Sequence, residues 1–195
     1  DLRFKGFFRT MIFLPCTTSL VAYAIIFRSL FANDGLVNYV LVNLGILDKP
    51  YNFLTQPFAA KVVIILALLW RWTGYNMVFF LSGLQNIEYS VYEAAKIDGA
   101  SAIQTFFKIT VPLLKPTILL TAIMSTNGTL QLFDESINLT DGGPANASIS
   151  MSHYIYNLCF KYVPNFGYAA AMSFFILLLV AVLAFIQMRV GDKRD

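Results

Sequence analysis

The chain has 195 residues, 57% of them hydrophobic, 15% aromatic and 13% charged, and its mean hydropathy is +0.64. A soluble domain carries about 25% charged residues to cover its surface, so this composition excludes an ordinary water-soluble globule. The formal net charge of +3 is too small to argue for nucleic acid, and the two distant cysteines, Cys16 and Cys159, give no disulfide framework.

In chain order, four apolar blocks approach the roughly 20 residues that a bilayer core requires. They cover residues 11–32, 59–81, about 113–133 and 168–188. A short basic lead-in precedes the first. Pro15 lies near the start of that block, where a helix tolerates it, and Arg28 lies near its outer end, where it can snorkel to headgroups. Residues 33–58 carry Asp34-Gly35, Asp48, Pro50 and Pro57, and read as an outer loop with a short helix around 36–44. The second block holds Arg71 between Trp70 and Trp72. An arginine at mid-membrane costs about 2.5–3.5 kcal/mol on insertion scales, so it must face protein or a wet cavity.

The segment between the second and third blocks reads helix, tight turn, helix. Ser90 with Glu93, and Ser101 with Gln104, have the spacing of capping boxes. Asp98-Gly99 between them is a stop and a turn. Helices this short are unstable alone in water, so they must dock. Val91, Tyr92, Ala95, Phe106 and Phe107 are available for that. Pro112 and Pro116 mark the start of the third block. Beyond it, residues 134–166 form a polar outer loop with the turn Asp141-Gly142-Gly143-Pro144. Three N-x-[ST] sequences, at Asn127, Asn138 and Asn146, read as chance matches.

Charge sets the orientation. With four spans, one side carries Arg3, Lys5, Arg9, Lys96, Lys108, Lys115, Arg189, Lys193 and Arg194, and the other only Lys49 and Lys161. The positive-inside rule then places both termini in the cytoplasm. Signatures of catalysis are missing. There is no G-x-x-x-x-G-K-[ST] loop for ATP. The single histidine, His153, with two distant cysteines makes no zinc site, and no serine–histidine–acid set is suggested. The reading is a non-enzyme with no cofactor and no metal.

The loop carries a specific pattern: Glu93-Ala94-Ala95, Gly99, Ile109 and Val111-Pro112 follow E-A-A-x-x-x-G-x9-I-x-[LV]-P. The chain thereby resembles the inner-membrane permease subunits of binding-protein-dependent ABC importers. The run from Tyr92 to Ser101 resembles the sugar branch, which handles maltose-type oligosaccharides, other sugars and glycerol phosphate. Gly83-Leu84-Gln85-Asn86-Ile87, Leu139-Thr140-Asp141-Gly142-Gly143-Pro144 and Gly167-Tyr168-Ala169-Ala170-Ala171 extend the resemblance over nearly the whole chain.

That resemblance implies an all-α polytopic membrane protein, the transmembrane domain of a type I ABC importer. It implies one permease domain over residues 1–195 with a cytoplasmic coupling loop at 86–112. Family members have about six spans against four here, so N-terminal spans are expected to be lacking. Glu93, Ala94, Ala95, Asp98, Gly99 and Ala100 would couple to cytoplasmic ATPase subunits. A second permease, an extracytoplasmic solute-binding protein and the bacterial inner-membrane lipid are the other implied partners. Transporter sites lie near mid-membrane between helices. Two faces with helical spacing qualify: Trp70, Thr73, Gly74 and Met77, and Ser125, Gly128, Thr129 and Leu132. Two other readings use the same residues. One is a permease for a non-sugar solute; the other is a truncated chain that only binds the ATPase.

Overall fold

The computed structural model describes residues 4–191. Arg3, Lys193 and Arg194 of the charge asymmetry lie outside them. Among the described residues the chain is helical, with no strand.

The first apolar block is not one straight helix. It comprises α1 (Lys5–Thr17) and α2 (Leu20–Leu30), bent by 104°. Pro15 falls in the last turn of α1 rather than near its start. It lacks the N–H that would continue the ladder. The Thr17 and Thr18 hydroxyls both donate to the Leu14 carbonyl, at 2.8 and 3.2 Å, competing with backbone bonds there. Ser19 then starts the second helix by accepting from Ala22 N–H at 3.1 Å.

Helix α3 (Leu36–Asn43) fills the expected place in the outer loop. Asn38, buried at its centre, donates to the Ala32 and Tyr51 carbonyls and accepts from Tyr51 N–H. The longest helix, α4 (Pro57–Gln85), opens on a proline at the one position where the missing N–H costs nothing. The buried core joins Tyr23, Ala24 and Phe27 of α2 to Val63, Ile64 and Ala67 of α4. Where α1 crosses α4, a Cβ on Gly74 would land on the Ile12 carbonyl oxygen. The two backbones meet there because nothing stands between them.

After α4 come α5 (Tyr89–Ile97), α6 (Ala102–Thr105), a π-helical turn (Phe106–Thr110), α7 (Val111–Leu113) and α8 (Lys115–Leu130). The stretch Ala102–Leu113 meets α8 at 65°. The segment expected to be the outer loop follows, with a π turn (Ser136–Thr140), α9 (Met151–Tyr156) and a second π turn (Asn157–Lys161). Helix α10 (Phe166–Gly191) closes the described chain. By length and composition α4 and α10 are long and apolar enough to cross a bilayer, and each bent pair passes the same test when its two helices are taken together, as a broken span or a re-entrant loop. Large apolar side chains such as Phe174, Leu177 and Phe185 face outward, as lipid-facing helices require.

Candidate functional site

The segment expected to be the coupling loop joins α4 to α8. Helix α5 begins at Tyr89, so Ser90 is already inside it and the expected capping box with Glu93 does not form; the Ser90 hydroxyl donates to the Glu88 carboxylate at 3.2 Å. The second box does form. Gln104 N–H donates to Ser101 Oγ at 3.3 Å, and Ser101 N–H to Gln104 Oε1 at 2.8 Å. Between them Gly99 has φ +74°, with nothing near the place of a Cβ. Gly99 N–H donates to the Lys96 carbonyl and Ala100 N–H to that of Ala95, a Schellman stop. The glycine is required by its backbone angle, not by crowding.

The faces of this segment differ from the expectation. Ala95 is buried within this chain, and Tyr92 turns inward to share a hydrogen bond with Thr110. Glu93, Ala94, Asp98 and Gly99 stay exposed, and Ala100 is half-buried. The outward apolar surface is made by Ile97 (85% exposed), Ile103 (72%), Phe107 (66%) and Phe106 (52%). Sequence reading found the two phenylalanines and missed the isoleucines. Ile97 lies two residues beyond Ala95, about 200° round the helix, which is the signal that would have found it.

The two mid-membrane faces are divided by the fold. A cavity of about 210 Å³ opens between α4 and α8, lined by Leu68, Leu69, Trp72, Thr73, Asn76, Ser125 and Thr129. Thr73, Ser125 and Thr129 are thus brought together. Trp70 instead stacks on Tyr23 at 6.2 Å between ring centroids, and Gly74 lies under α1. Met77 lines a separate groove beside Ile12 and Arg9. Gly128 packs against the Trp72 indole, and Leu132 against the α2–α4 core. Gly74→Trp therefore breaks the α1–α4 crossing rather than filling a path. Within the cavity the Thr129 hydroxyl donates to the Ser125 carbonyl at 2.8 Å, which leaves its oxygen as an acceptor. The Asn76 Oδ1 is buried with no hydrogen-bond partner. An indole face, hydroxyls and an amide suit a neutral polyhydroxyl solute.

The outer loop holds a buried polar network. The Ser136 hydroxyl lies 2.8 Å from the Ser148 carbonyl oxygen, shares a hydrogen bond of 2.8 Å with His153 Nδ1, and accepts from Ser150 N–H at 3.2 Å. His153 Nε2 faces Asp141 Oδ1 at 3.7 Å, and Lys161 Nζ donates to that oxygen at 2.7 Å. The fold thus assembles the serine, histidine and acid that the sequence does not suggest. Ser136 and His153 are both 0% exposed, so no substrate reaches them. Burial holds His153 below its ordinary pKa, Asp141 pulls it up and Lys161 pushes it down.

The geometry has counterparts among known proteins. The model of the family described as "binding-protein-dependent transport system inner membrane component" matches residues 2–194. The lactose transport system permease protein LacF of Rhizobium radiobacter is 57% identical over 195 residues, covering 99% of this chain and 65% of the relative. The arabinooligosaccharides transport system permease protein AraP of Bacillus subtilis is 33% identical, covering 98% of this chain and 61% of the relative. This chain therefore spans less than two thirds of the length of either. A crystal structure of a bacterial ABC transporter involved in import of the acidic polysaccharide alginate superposes with a TM-score of 0.85 at 25% identity, over 98% of this chain and 68% of that one.

Proposed function

Because the chain belongs to the family of binding-protein-dependent transport system inner membrane components, we propose that it is the sugar-conducting permease subunit of an ATP-driven importer. The observation that carries the reading is a connection. The cavity lies between α4 and α8, and α5 to α7 join those same two helices. A partner that grips the joining segment moves both walls of the cavity. The exposed patch of Ile97, Ile103, Phe106 and Phe107 is the surface that a cytoplasmic ATPase subunit covers. Glu93, Asp98 and the Gly99 turn stand beside it.

In this reading residues 86–112 are the coupling loop of one permease domain. The loop and both termini face the cytoplasm, and ATP is hydrolysed on the partner chain. The solute-binding protein docks on the outer loops, and a second permease completes the path. Thr73, Asn76, Ser125 and Thr129 bond sugar hydroxyls, and Trp72 packs on an apolar sugar face. The lactose and arabino-oligosaccharide relatives make di- and oligosaccharides the class to try first.

The test uses the full-length permease with its second permease, ATPase and binding protein in sealed vesicles. Labelled lactose accumulates when ATP is inside, and Ser125→Trp abolishes accumulation while the complex still assembles. Accumulation that survives Ser125→Trp removes the cavity from the path. ATPase stimulation by a polyamine or phosphate, but by no sugar, refutes the sugar assignment. ATPase binding with no uptake of any solute refutes transport.

A further inference from the structure

The cavity and the coupling loop leave one buried group unused. Arg71 sits at the middle of α4, 14 residues from either end of Pro57–Gln85. It does not line the cavity between α4 and α8. Its guanidinium lies over the Tyr23 ring, 5.5 Å from the centroid. Its Nη1 is buried with no hydrogen-bond partner, and so is the Tyr23 hydroxyl. A full charge at that depth is costly unless something of opposite sign is near.

The opposite sign comes from a different part of the chain. Glu135, 6% exposed, opens the π turn at the start of the outer loop. Leu139, in the same turn, is in the core with Tyr23, Ala24 and Ala67. The turn therefore packs directly on α2 and α4, against the same Tyr23 that the Arg71 guanidinium covers. Burial pushes the Glu135 carboxyl above its ordinary pKa; its own backbone and the Arg71 guanidinium pull it back. Arg71 and Glu135 make no direct ion pair with each other, so they act across a gap, not in contact. The gap is no objection to a charge couple, since low polarity between the groups strengthens their attraction.

We infer that Arg71 and Glu135 are charge partners, and that their attraction ties the outer loop to α2 and α4. Both are positioning residues. They touch no solute, and they fix where the outer end of α8 sits against the helix that forms the other wall. Their role in uptake rests on the transport reading above; their pairing does not.

Neutralising both members tests the inference. The full-length permease, assembled with its partners, is purified in detergent as parent, Arg71→Gln, Glu135→Gln and the double variant. Thermal unfolding is followed without solute, and sugar uptake is measured in vesicles. Each single variant strands a buried charge and lowers the midpoint by roughly 5–10 °C. The double variant strands none, so its loss is smaller than that of either single variant, and its uptake exceeds theirs. A double variant whose loss is the sum of the two single losses overturns the pairing. Should Arg71→Gln fail to accumulate, yield replaces the midpoint: recovery in the double variant supports the pairing, and continued absence overturns it. The melting comparison needs no transport. A parent complex that melts cooperatively yet imports nothing refutes the transport reading alone.

Discussion

The two loops that flank the membrane part meet water in opposite ways. The outer loop buries its polar groups and satisfies them internally: Ser136 alone makes three hydrogen bonds, to Ser148, Ser150 and His153. The coupling segment satisfies its backbone through the Gly99 stop and the Ser101 box, yet leaves Ile97, Ile103 and Phe107 more than half exposed. Apolar area removed from water is worth about 25 cal/mol per Å², and here that contribution is left uncollected. One loop is finished within the chain. The other leaves its apolar face open to water.

Substitutions can break this contrast. The largest effect on the chain itself is expected from Ser136→Val, which leaves His153 Nδ1 and the Ser150 N–H without their hydrogen-bond partner. The loss is about 2–4 kcal/mol, read as a lower melting midpoint, while ATPase binding by the protein that remains folded is unchanged. Gly99→Trp comes next. A side chain at φ +74° strains the turn by about 1–2 kcal/mol. Its main effect falls elsewhere: the ATPase subunit co-purifies with the parent and not with the variant. Co-purification with both would remove Gly99 from the coupling surface.

Acid sharpens the outer side of the contrast. The folded state lowers the His153 pKa below its ordinary value of 6.5. The unfolded chain therefore binds the proton more readily, and stability rises with pH through that interval. Stability is full above 6.5 and falls as pH drops towards the folded value, at no more than about 1.4 kcal/mol per pH unit. A midpoint measured against pH should show this slope in the parent and lose it in His153→Gln. The smallest effect on stability belongs to Ile97→Asp. An exposed change of this kind stays within about 0.5 kcal/mol, but it places a charge in the exposed apolar patch proposed to meet the ATPase. Equal melting with at least tenfold weaker ATPase binding is the expected pair of results. Unchanged binding would mean that the partner covers another face.

The spans and the coupling turn were legible because their signals are local: apolar runs of membrane length, a glycine after Asp98, a serine three residues before Gln104. The break at Thr17–Ser19 was not. Pro15 interrupts only because α1 begins at Lys5, and the hydroxyl competition for the Leu14 carbonyl has no periodic trace. The cavity face was half legible for a related reason. Thr73 and Gly74 are neighbours, but 100° of helix rotation separates them. Helical spacing groups residues on one face without saying which helix that face meets. Gly74 proved to meet α1, while Trp72 and Asn76, outside the chosen stripe, look across to α8. The Ser136–His153 network joins residues 17 apart through a compact turn, which no spacing rule anticipates.

The uninterrupted length of α4 has a mechanical consequence. Its 29 residues hold one proline, at the first position where it does no harm. At 1.5 Å per residue the helix is a rod about 43 Å long. Both neighbouring helix pairs are bent, at 104° and 65°, where α4 runs without a break. A tilt of about 10° around its midpoint carries each end through roughly 4 Å in opposite directions. Arg71 sits at that midpoint and moves least, as a pivot should.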